Sequence, residues 1–302
     1  MRRIVSVSIG SSHRDSKAVV TVCGEDFSIE RIGTDGDIKK AIEMIEKLDG
    51  RVAAFGMGGI DLYLCAGERR FILREAKKIA RAPKITPIVD GSGLKNTLER
   101  RAIEKLAADP EMFAGKRVLL TCAVDRFGMA QALAKTGSEV LYGDFVFALG
   151  APLPIYNLRA LERAVAVFAP LAVQLPFKWL YPIGEKQKDT PKKSKYTKFY
   201  EWADIIAGDY HMIRKYMPDD LYGKTLITNT ITPADMEFLR QRRVRELITT
   251  TPNIGGRSFG TNVMEALLVA LINKPVGDIT PADYNQMLDK LGFAPRREIL
   301  GA

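Results

Sequence analysis

Residues 118–144 read as a short strand, a turn, an amphipathic helix and a second strand, and this run constrains the fold most. Residues 118–122 are mainly apolar, as in a strand that is covered on both faces. Met129 and Leu133 recur at helical spacing, and Gly137 can end that helix in the left-handed conformation. A strand, a helix and a strand in this order predict the opening of a doubly wound, mostly parallel sheet.

The turn between the first strand and the helix is a candidate site for a nicotinamide dinucleotide. Asp144 ends the second strand 21 residues after Ala123, and an acid at about this distance reads the ribose hydroxyls of NAD. If Gly128 is the last glycine of G-x-G-x-x-G, Asp125 takes the second glycine position and adds bulk and like charge beside the pyrophosphate. Arg126 can reach a phosphate and compensate.

We therefore predict that NAD or NADP binds at this turn. The residues predicted to hold it are Ala123, Asp125, Arg126, Phe127, Gly128 and Asp144. The alternative is a strand–helix unit with an ordinary polar turn.

Strands and helices alternate through most of the chain, which predicts an α/β protein. We expect a small N-terminal α/β domain at residues 1–93, a connecting helix at 94–114 and a doubly wound, Rossmann-like domain at 115–275. The sheet of the second domain should have about six mostly parallel strands. A basic insertion at 176–198 interrupts that domain, and residues 276–302 are expected to form a helical tail.

The composition is typical of a globular protein in a reducing compartment. The 302 residues contain three scattered cysteines and no Cys/His spacing of a zinc site, so no metal is predicted. No apolar run reaches the roughly 18 residues of a membrane span, and the N-terminus lacks the features of a signal peptide. We therefore expect a cytoplasmic protein without a membrane partner, and the oligomeric state stays open.

The net charge of +9 indicates an anionic partner. A cluster of lysines contributes to it: Lys186, Lys188, Lys192, Lys193, Lys195 and Lys198. A nucleic acid is one possible partner of this segment. We favour the simpler interpretations, a solvated surface or a lid that does not read sequence, and we predict a small molecule as the substrate.

Ligands of parallel sheets bind beyond the carboxyl ends of the strands. This rule places Asn229 and Thr250 beside the predicted cofactor. It places His211 at the same edge, where an imidazole suits acid–base chemistry. Gly256 and Arg257 precede an apolar helix and can form an anion cradle at its N-terminus. The alternatives are a structural histidine and glycines that mark close packing.

Asp90 lies between the two predicted domains, beside Gly91 and Gly93. An acid there can hold a hydroxyl group or accept a proton, so we predict a catalytic role, with a turn and helix cap as the alternative. Asp61 also follows two glycines and is predicted to face the cleft. Residues 4–9 alternate apolar and polar side chains, which predicts a half-buried strand.

A small α/β domain, the run Asp90-Gly91-Ser92-Gly93, a long helix and a Gly-Lys-x-Val-Leu-Leu run follow one another in the chain. This order resembles the shikimate/quinate 5-dehydrogenases, and the whole chain is similar to bacterial proteins labelled quinate 5-dehydrogenase. The resemblance implies an NAD(P)-dependent oxidoreductase that acts on a small hydroxylated carboxylic acid in an interdomain cleft. It places Asp90 where the family binds a substrate hydroxyl.

The same resemblance suggests further substrate-binding residues. The family's serine pair has a loose counterpart in Ser8 and Ser11. The loop that carries the family's lysine is absent, so that lysine cannot be carried over, and Lys95 is a candidate because it lies near Asp90 in the chain. With Asp61, these residues complete the predicted substrate site. The family's glycine-rich turn is replaced by residues 123–126. These departures favour an alternative function, a non-catalytic metabolite- or nucleotide-binding sensor on a dehydrogenase-like frame.

Overall fold

Two β-sheets, each made mostly of parallel strands, organise the chain. The computed structural model describes residues 1–66, 69–174, 194–229, 231–251, 253–254 and 257–301. The strands are β1 (Arg2–Ser8), β2 (Ser16–Val22), β3 (Glu25–Gly33), β4 (Ala54–Gly58), β5 (Tyr63–Ala66), β6 (Arg69–Ile72), β7 (Ile88–Val89), β8 (Arg117–Leu120), β9 (Glu139–Tyr142), β10 (Ile205–Gly208), β11 (Thr225–Thr228), β12 (Glu246–Thr249), β13 (Asn253–Ile254), β14 (Arg257–Ser258) and β15 (Arg296–Ile299). The helices are α1 (Ile38–Leu48), α2 (Arg74–Ala80), α3 (Ser92–Leu106), α4 (Phe127–Leu133), α5 (Asp144–Phe147), α6 (Leu158–Ala172), α7 (Ser194–Trp202), α8 (Tyr210–Tyr216), α9 (Pro233–Gln241), α10 (Thr261–Ile272) and α11 (Pro281–Lys290).

The first sheet has the order β2-β3-β1-β4-β7. Strand β2 runs antiparallel to β3, and the other neighbours are parallel. Strand β1 is central and buried on both faces, so the predicted half-buried strand is wrong. Ser6 is buried because helix α10 covers it, and the side-chain amide of Asn262 donates a hydrogen bond to its hydroxyl at 2.8 Å.

The second sheet has the order β15-β12-β11-β10-β8-β9. Strand β15 is an antiparallel edge, and the other neighbours are parallel. In chain order the five parallel strands lie 2-1-3-4-5, which is a doubly wound order but not the 3-2-1-4-5-6 order of the dinucleotide-binding sheet. The order reverses between β8 and β10, whose carboxyl ends therefore frame the crevice where such sheets bind ligands.

Helix α10 follows the second sheet in the chain but packs on the first. Ile4 and Phe27 of the first sheet share one hydrophobic core with Leu267 of α10, and helices α3 and α11 add to it. Gly91 makes the close approach possible, because its φ of 95° suits glycine and a Cβ there would lie 2.7 Å from the backbone nitrogen of Asn262. The N-terminal sheet is therefore completed by residues from the C-terminal part of the chain.

Helices cover both faces of each sheet. Helices α1 and α2 pack on the face of the first sheet opposite α10. On the second sheet, α4 and α6 cover one face, and α7, α8 and α9 cover the other. This arrangement explains the mainly apolar sequences of the central strands, which have no solvent-facing side.

The predicted α/β class is confirmed, with two sheets dominated by parallel strands. The domain boundaries proposed from sequence stay predictions. Residues 175–193, which hold most of the basic insertion, lie outside the described residues, so binding of a nucleic acid there also stays a prediction. Among the helices that are described, none combines the length and apolar character that crossing a bilayer requires.

Candidate functional site

The carboxyl ends of the two sheets meet at a group of charged side chains, here called the crevice cluster. Lys95, on helix α3, donates from Nζ to Oδ1 of Asp125 at 2.7 Å and to Oδ1 of Asp61 at 3.2 Å. Asp61 follows strand β4 of the first sheet, and Asp125 follows strand β8 of the second. One ammonium group therefore connects the two sheets.

Arg126 continues the crevice cluster along the second sheet. Its side chain is 2% exposed, and it donates to Glu99 of helix α3 and, at 3.0 Å, to Oδ2 of Asp209. The side-chain amide of Asn229 donates to the same Asp209 oxygen at 3.0 Å. Asp209 and Asn229 follow strands β10 and β11, as the crevice rule predicts. Of the predicted site residues, the structure brings together Asp61, Lys95, Asp125, Arg126 and Asn229.

Burial sets the protonation of the crevice cluster. It raises the pKa of Glu99 to about 7, although Arg126 opposes the shift. Burial and then the charge of Asp125 raise the pKa of Asp61 to about 7. For Asp209, burial is outweighed by Arg126, which lowers the pKa to about 2. Below pH 7 the two cations of the cluster therefore face two ionised carboxylates, and the cluster is balanced by its own charges.

The turn after strand β8 is filled by the protein itself. The buried carboxylate of Asp144 accepts hydrogen bonds from the backbone nitrogen of Ala123 at 3.0 and 3.1 Å and from that of Val124 at 2.9 Å. These amides are the groups that a pyrophosphate would need. A Cβ atom at Gly128 would collide with the backbone oxygen of Asn96 in helix α3, so this glycine serves close helix packing. The space predicted for a dinucleotide is therefore occupied.

The other residues predicted to hold the cofactor have separate surroundings. Phe127 is a buried core residue of helix α4. Thr250 is buried after strand β12, and its hydroxyl has no hydrogen-bond partner among the described residues. Arg257 pairs through its backbone with Ile254, and Gly256 lies outside the described residues.

A cavity of about 260 Å³, here called the hinge cavity, lies next to the crevice cluster. The polar side chains that line it are Tyr63, Arg70, Asp90, Ser92, Asn96, Thr97, Glu265 and Tyr284. Oδ2 of Asp90 accepts a hydrogen bond from the backbone of Leu62 at 2.6 Å, and Oδ1 accepts bonds from the backbone and hydroxyl of Ser92 at 3.1 and 2.6 Å. These bonds fix the turn and the helix start, which is the structural alternative stated for Asp90.

Glu265 is a buried carboxylate in the otherwise apolar helix α10. Its Oε1 accepts hydrogen bonds from the hydroxyl of Tyr284 at 2.7 Å and from the backbone of Leu94 at 3.2 Å. Its Oε2 has no partner among the described residues. Burial, assisted by the charge of Asp90, raises the pKa of Glu265 to about 7. Buried polar atoms are nearly always hydrogen-bonded, so this unpartnered oxygen is an exception.

Sequence reasoning missed Glu265, although a signal was present. Residues 263–272 are apolar except for this one acid, and a charged residue is rarely buried alone in an apolar helix. Glu99 was missed as well. Its role depends on Arg126, which was assigned to a phosphate instead.

Three other predicted residues lie apart from the hinge cavity. The hydroxyl of Ser8 accepts a hydrogen bond from Arg31 at 3.0 Å, and that of Ser11 accepts one from a nearby backbone amide. Both hold the loop after strand β1. His211 is exposed at the start of helix α8, where its backbone amide donates to Asp209 at 2.8 Å.

Comparison with protein families divides the chain near residues 90–93. Residues 93–300 match the model of a "Domain of unknown function (DUF8754)". The chain belongs to the DUF8754 family. Residues 3–90 match a second model, "Domain of unknown function (DUF8753)". No curated protein matches the sequence.

Among solved structures, the chain is similar to several solute-binding proteins. One is AraP, an arabinose-binding protein from Geobacillus stearothermophilus, with 10% identity, 99% of this chain and 97% of that chain covered, and a TM-score of 0.44. Another is the substrate-binding protein of a sugar ABC transport system from Bordetella parapertussis 12822, with 10% identity, 89% and 79% covered, and a TM-score of 0.38. A third is a periplasmic solute-binding protein from Actinobacillus succinogenes 130z with bound D-allose, with 10% identity, 95% and 100% covered, and a TM-score of 0.37.

The predicted kinship with shikimate/quinate 5-dehydrogenases is wrong, and so are the oxidoreductase function and the NAD or NADP cofactor. Neither family model that matches the chain names such an enzyme. The local geometry gives the physical reason. Asp144, predicted to read the ribose, instead accepts hydrogen bonds from the amides of the turn. Arg126, predicted to bind a phosphate, instead donates hydrogen bonds to Glu99 and Asp209.

Proposed function

We propose that this protein is a non-catalytic binding protein that holds a small polar molecule in the hinge cavity. The observation that carries the proposal is Oε2 of Glu265, a buried carboxylate oxygen without a hydrogen-bond partner among the described residues, in a side chain that lines the cavity. Leaving such an atom unpaired is unfavourable by about 1–3 kcal/mol or more. A ligand that donates a hydrogen bond to it removes that penalty.

The size of the hinge cavity limits the ligand. Its volume of about 260 Å³ lies just below the roughly 300–1,000 Å³ of most ligand sites, so a molecule of few heavy atoms fits. The lining comes from strand β7, from the start of helix α3, from helix α10 and from residues 276–284. Segments distant in the chain therefore converge on the cavity, as expected for a binding site at a domain junction.

The proposal also includes an arrangement of the chain in two lobes. Two α/β lobes would be joined through helix α3, with the crevice cluster holding their carboxyl ends together and the hinge cavity beside it. The cleft predicted from sequence would then serve ligand binding rather than hydride transfer.

The proposal is tested by thermal unfolding of the full chain with a panel of small polar metabolites. A molecule present at about 100 times its Kd should raise the Tm by about 5 °C or more. Gly277→Phe is the blocking variant, because Gly277 lines the cavity and a Cβ there meets no atom within 4 Å. It should abolish the shift, whereas Lys135→Phe, at an exposed position on the second lobe, should retain it. An equal shift in both variants would place the ligand elsewhere.

A further inference from the structure

Three hydroxyl groups of the hinge cavity donate their hydrogen bonds within the protein. The hydroxyl of Tyr284 donates to Oε1 of Glu265, and the hydroxyl of Ser92 donates to Asp90 at 2.6 Å. The hydroxyl of Thr97 donates to the backbone oxygen of the same helix one turn earlier, at 3.3 Å. Besides the guanidinium of Arg70 and the side-chain amide of Asn96, the cavity therefore offers a ligand an acceptor, the free Oε2 of Glu265.

The charges and aromatic rings of the hinge cavity favour a cation. Asp90 and Glu265 supply two carboxylates, against the single guanidinium of Arg70, so the ionised lining has a net charge of −1. The guanidinium carbon of Arg70 lies 5.5 Å from the ring centroid of Tyr63, so this ring already contacts a cation of the protein itself. Tyr284 presents a second ring. A ligand with one positive charge would neutralise the net charge of this lining.

We infer that the ligand of the hinge cavity is a small organic monocation whose ammonium group donates a hydrogen bond to Oε2 of Glu265. This inference rests on the proposed function and names the chemical class that the cavity selects. An ammonium group is a donor without an acceptor, and it matches the free carboxylate oxygen in both hydrogen bonding and charge. A neutral polyol would match the hydrogen bond but leave the net charge of the lining uncompensated.

The protonation of Glu265 gives the inference a pH signature. The groups that face this carboxyl are Asp90 at the end of strand β7, Tyr284 on helix α11 and, across the cavity, Arg70. Burial and Asp90 raise the pKa of Glu265 to about 7, so the carboxyl must lose its proton to pair with an ammonium group. The affinity for an amine should therefore increase about tenfold from pH 6 to pH 8. The affinity for a neutral alcohol should stay constant or fall.

The decisive experiment is calorimetric titration of the full chain with primary amines, each paired with the alcohol of the same skeleton. Ethanolamine with ethylene glycol, and cyclohexylamine with cyclohexanol, are two such pairs. We expect binding of at least one amine, at least tenfold tighter than its alcohol. Glu265→Gln, which keeps the shape and removes the charge, should weaken amine binding by about tenfold or more. Glu246→Gln, a matched buried carboxylate outside the cavity, should leave it unchanged.

The outcomes separate the inference from the proposed function. If neutral members of the panel bind and are blocked by Gly277→Phe while the amines do not bind, the cation is wrong and the binding site stands. If neither the amines nor the neutral molecules bind, the inference and the proposed function are both overturned. Should Glu265→Gln fail to fold, as judged by circular dichroism, the wild-type pH profile decides, because amine binding that does not tighten between pH 6 and pH 8 contradicts the inference.

Discussion

Lys95 lies 2.7 Å from Asp125 although the two residues stand on different sides of the crevice, one on helix α3 and the other after strand β8 of the second sheet. The same ammonium group also contacts Asp61 of the first sheet. The side chain of Lys95 is 9% exposed, so these pairs are protected from the solvent screening that weakens surface salt bridges. The contact makes the relative placement of the two sheets depend on one buried cation.

Replacement of that cation should be strongly destabilising. Lys95→Met removes the charge but keeps most of the volume, and it leaves two buried carboxylates without their cation. We expect a loss of about 3 kcal/mol in the free energy of unfolding, measured by urea denaturation. Lys105→Met on the same helix, where Nζ donates to a backbone oxygen, should lose about 1 kcal/mol. Equal effects of the two substitutions would show that the crevice pairs contribute little.

Stability should fall as the pH rises from about 5 to 7. Burial raises the pKa of both Glu99 and Glu265 to about 7 in the folded protein, above the ordinary value of 4.5. Between these values the folded state binds more protons than the unfolded state, so each group lowers the free energy of unfolding by up to about 1.4 kcal/mol per pH unit. Urea denaturation at four pH values checks this. Glu265→Gln should reduce the slope, and a stability that rises across this window would contradict the assignment.

The close contact at Gly128 predicts that adding a side chain at this position lowers the stability of the protein. Gly128→Ala places a methyl group against the backbone oxygen of Asn96, where neither helix can yield without moving. We expect a loss of about 2–3 kcal/mol. Gly277→Ala adds the same methyl group where no atom lies within 4 Å, and its effect should stay within about 0.5 kcal/mol. Thermal unfolding of the two variants makes the comparison, and a tolerated Gly128→Ala would remove the packing argument.

Because the turn after strand β8 is filled by the protein itself, we predict that nicotinamide dinucleotides do not change the thermal stability. Because Asp144 already accepts hydrogen bonds from the backbone of Ala123 and Val124, NAD or NADP at millimolar concentration should leave the Tm unchanged. Asp144→Ala should lower the Tm, because it leaves those amides unpaired, and should still give no shift with either dinucleotide. A dinucleotide-dependent shift in the wild-type protein would show that Asp144 can leave the turn.

Local patterns in the sequence predicted several strands of the second sheet, but not its edge strand β15, which lies in the expected helical tail. The predicted strand at residues 118–122 corresponds to β8 (Arg117–Leu120), because a short apolar run bounded by turn residues is typical of a buried strand. The rule that ligand-site residues gather at the carboxyl ends of parallel strands placed Arg126 and Asn229 at one edge of the sheet, and in the structure both donate to Asp209. Topology alone therefore located the crevice.

The chemistry of the crevice was beyond sequence reasoning for a physical reason. The spacing from Ala123 to Asp144 is the same whether the carboxylate faces a ribose or folds back onto the turn, and only the packing of the side chain decides. Likewise, the serine face of strand β1 looked solvated because Asn262, its partner, lies 256 residues away from Ser6 in the chain. Contacts between residues so far apart in the chain leave no local pattern in the sequence.

The packing of helix α10 on the first sheet has a consequence for how this protein can be divided. The two family matches meet near residue 90, which suggests two modules that could be expressed or inherited separately. Residues 3–90 alone would present Ile4 and Phe27 to water, because Leu267 and its neighbours would be missing. The N-terminal segment therefore depends on its C-terminal companion for solubility, and a gene that carried only one of them would encode a chain prone to aggregation.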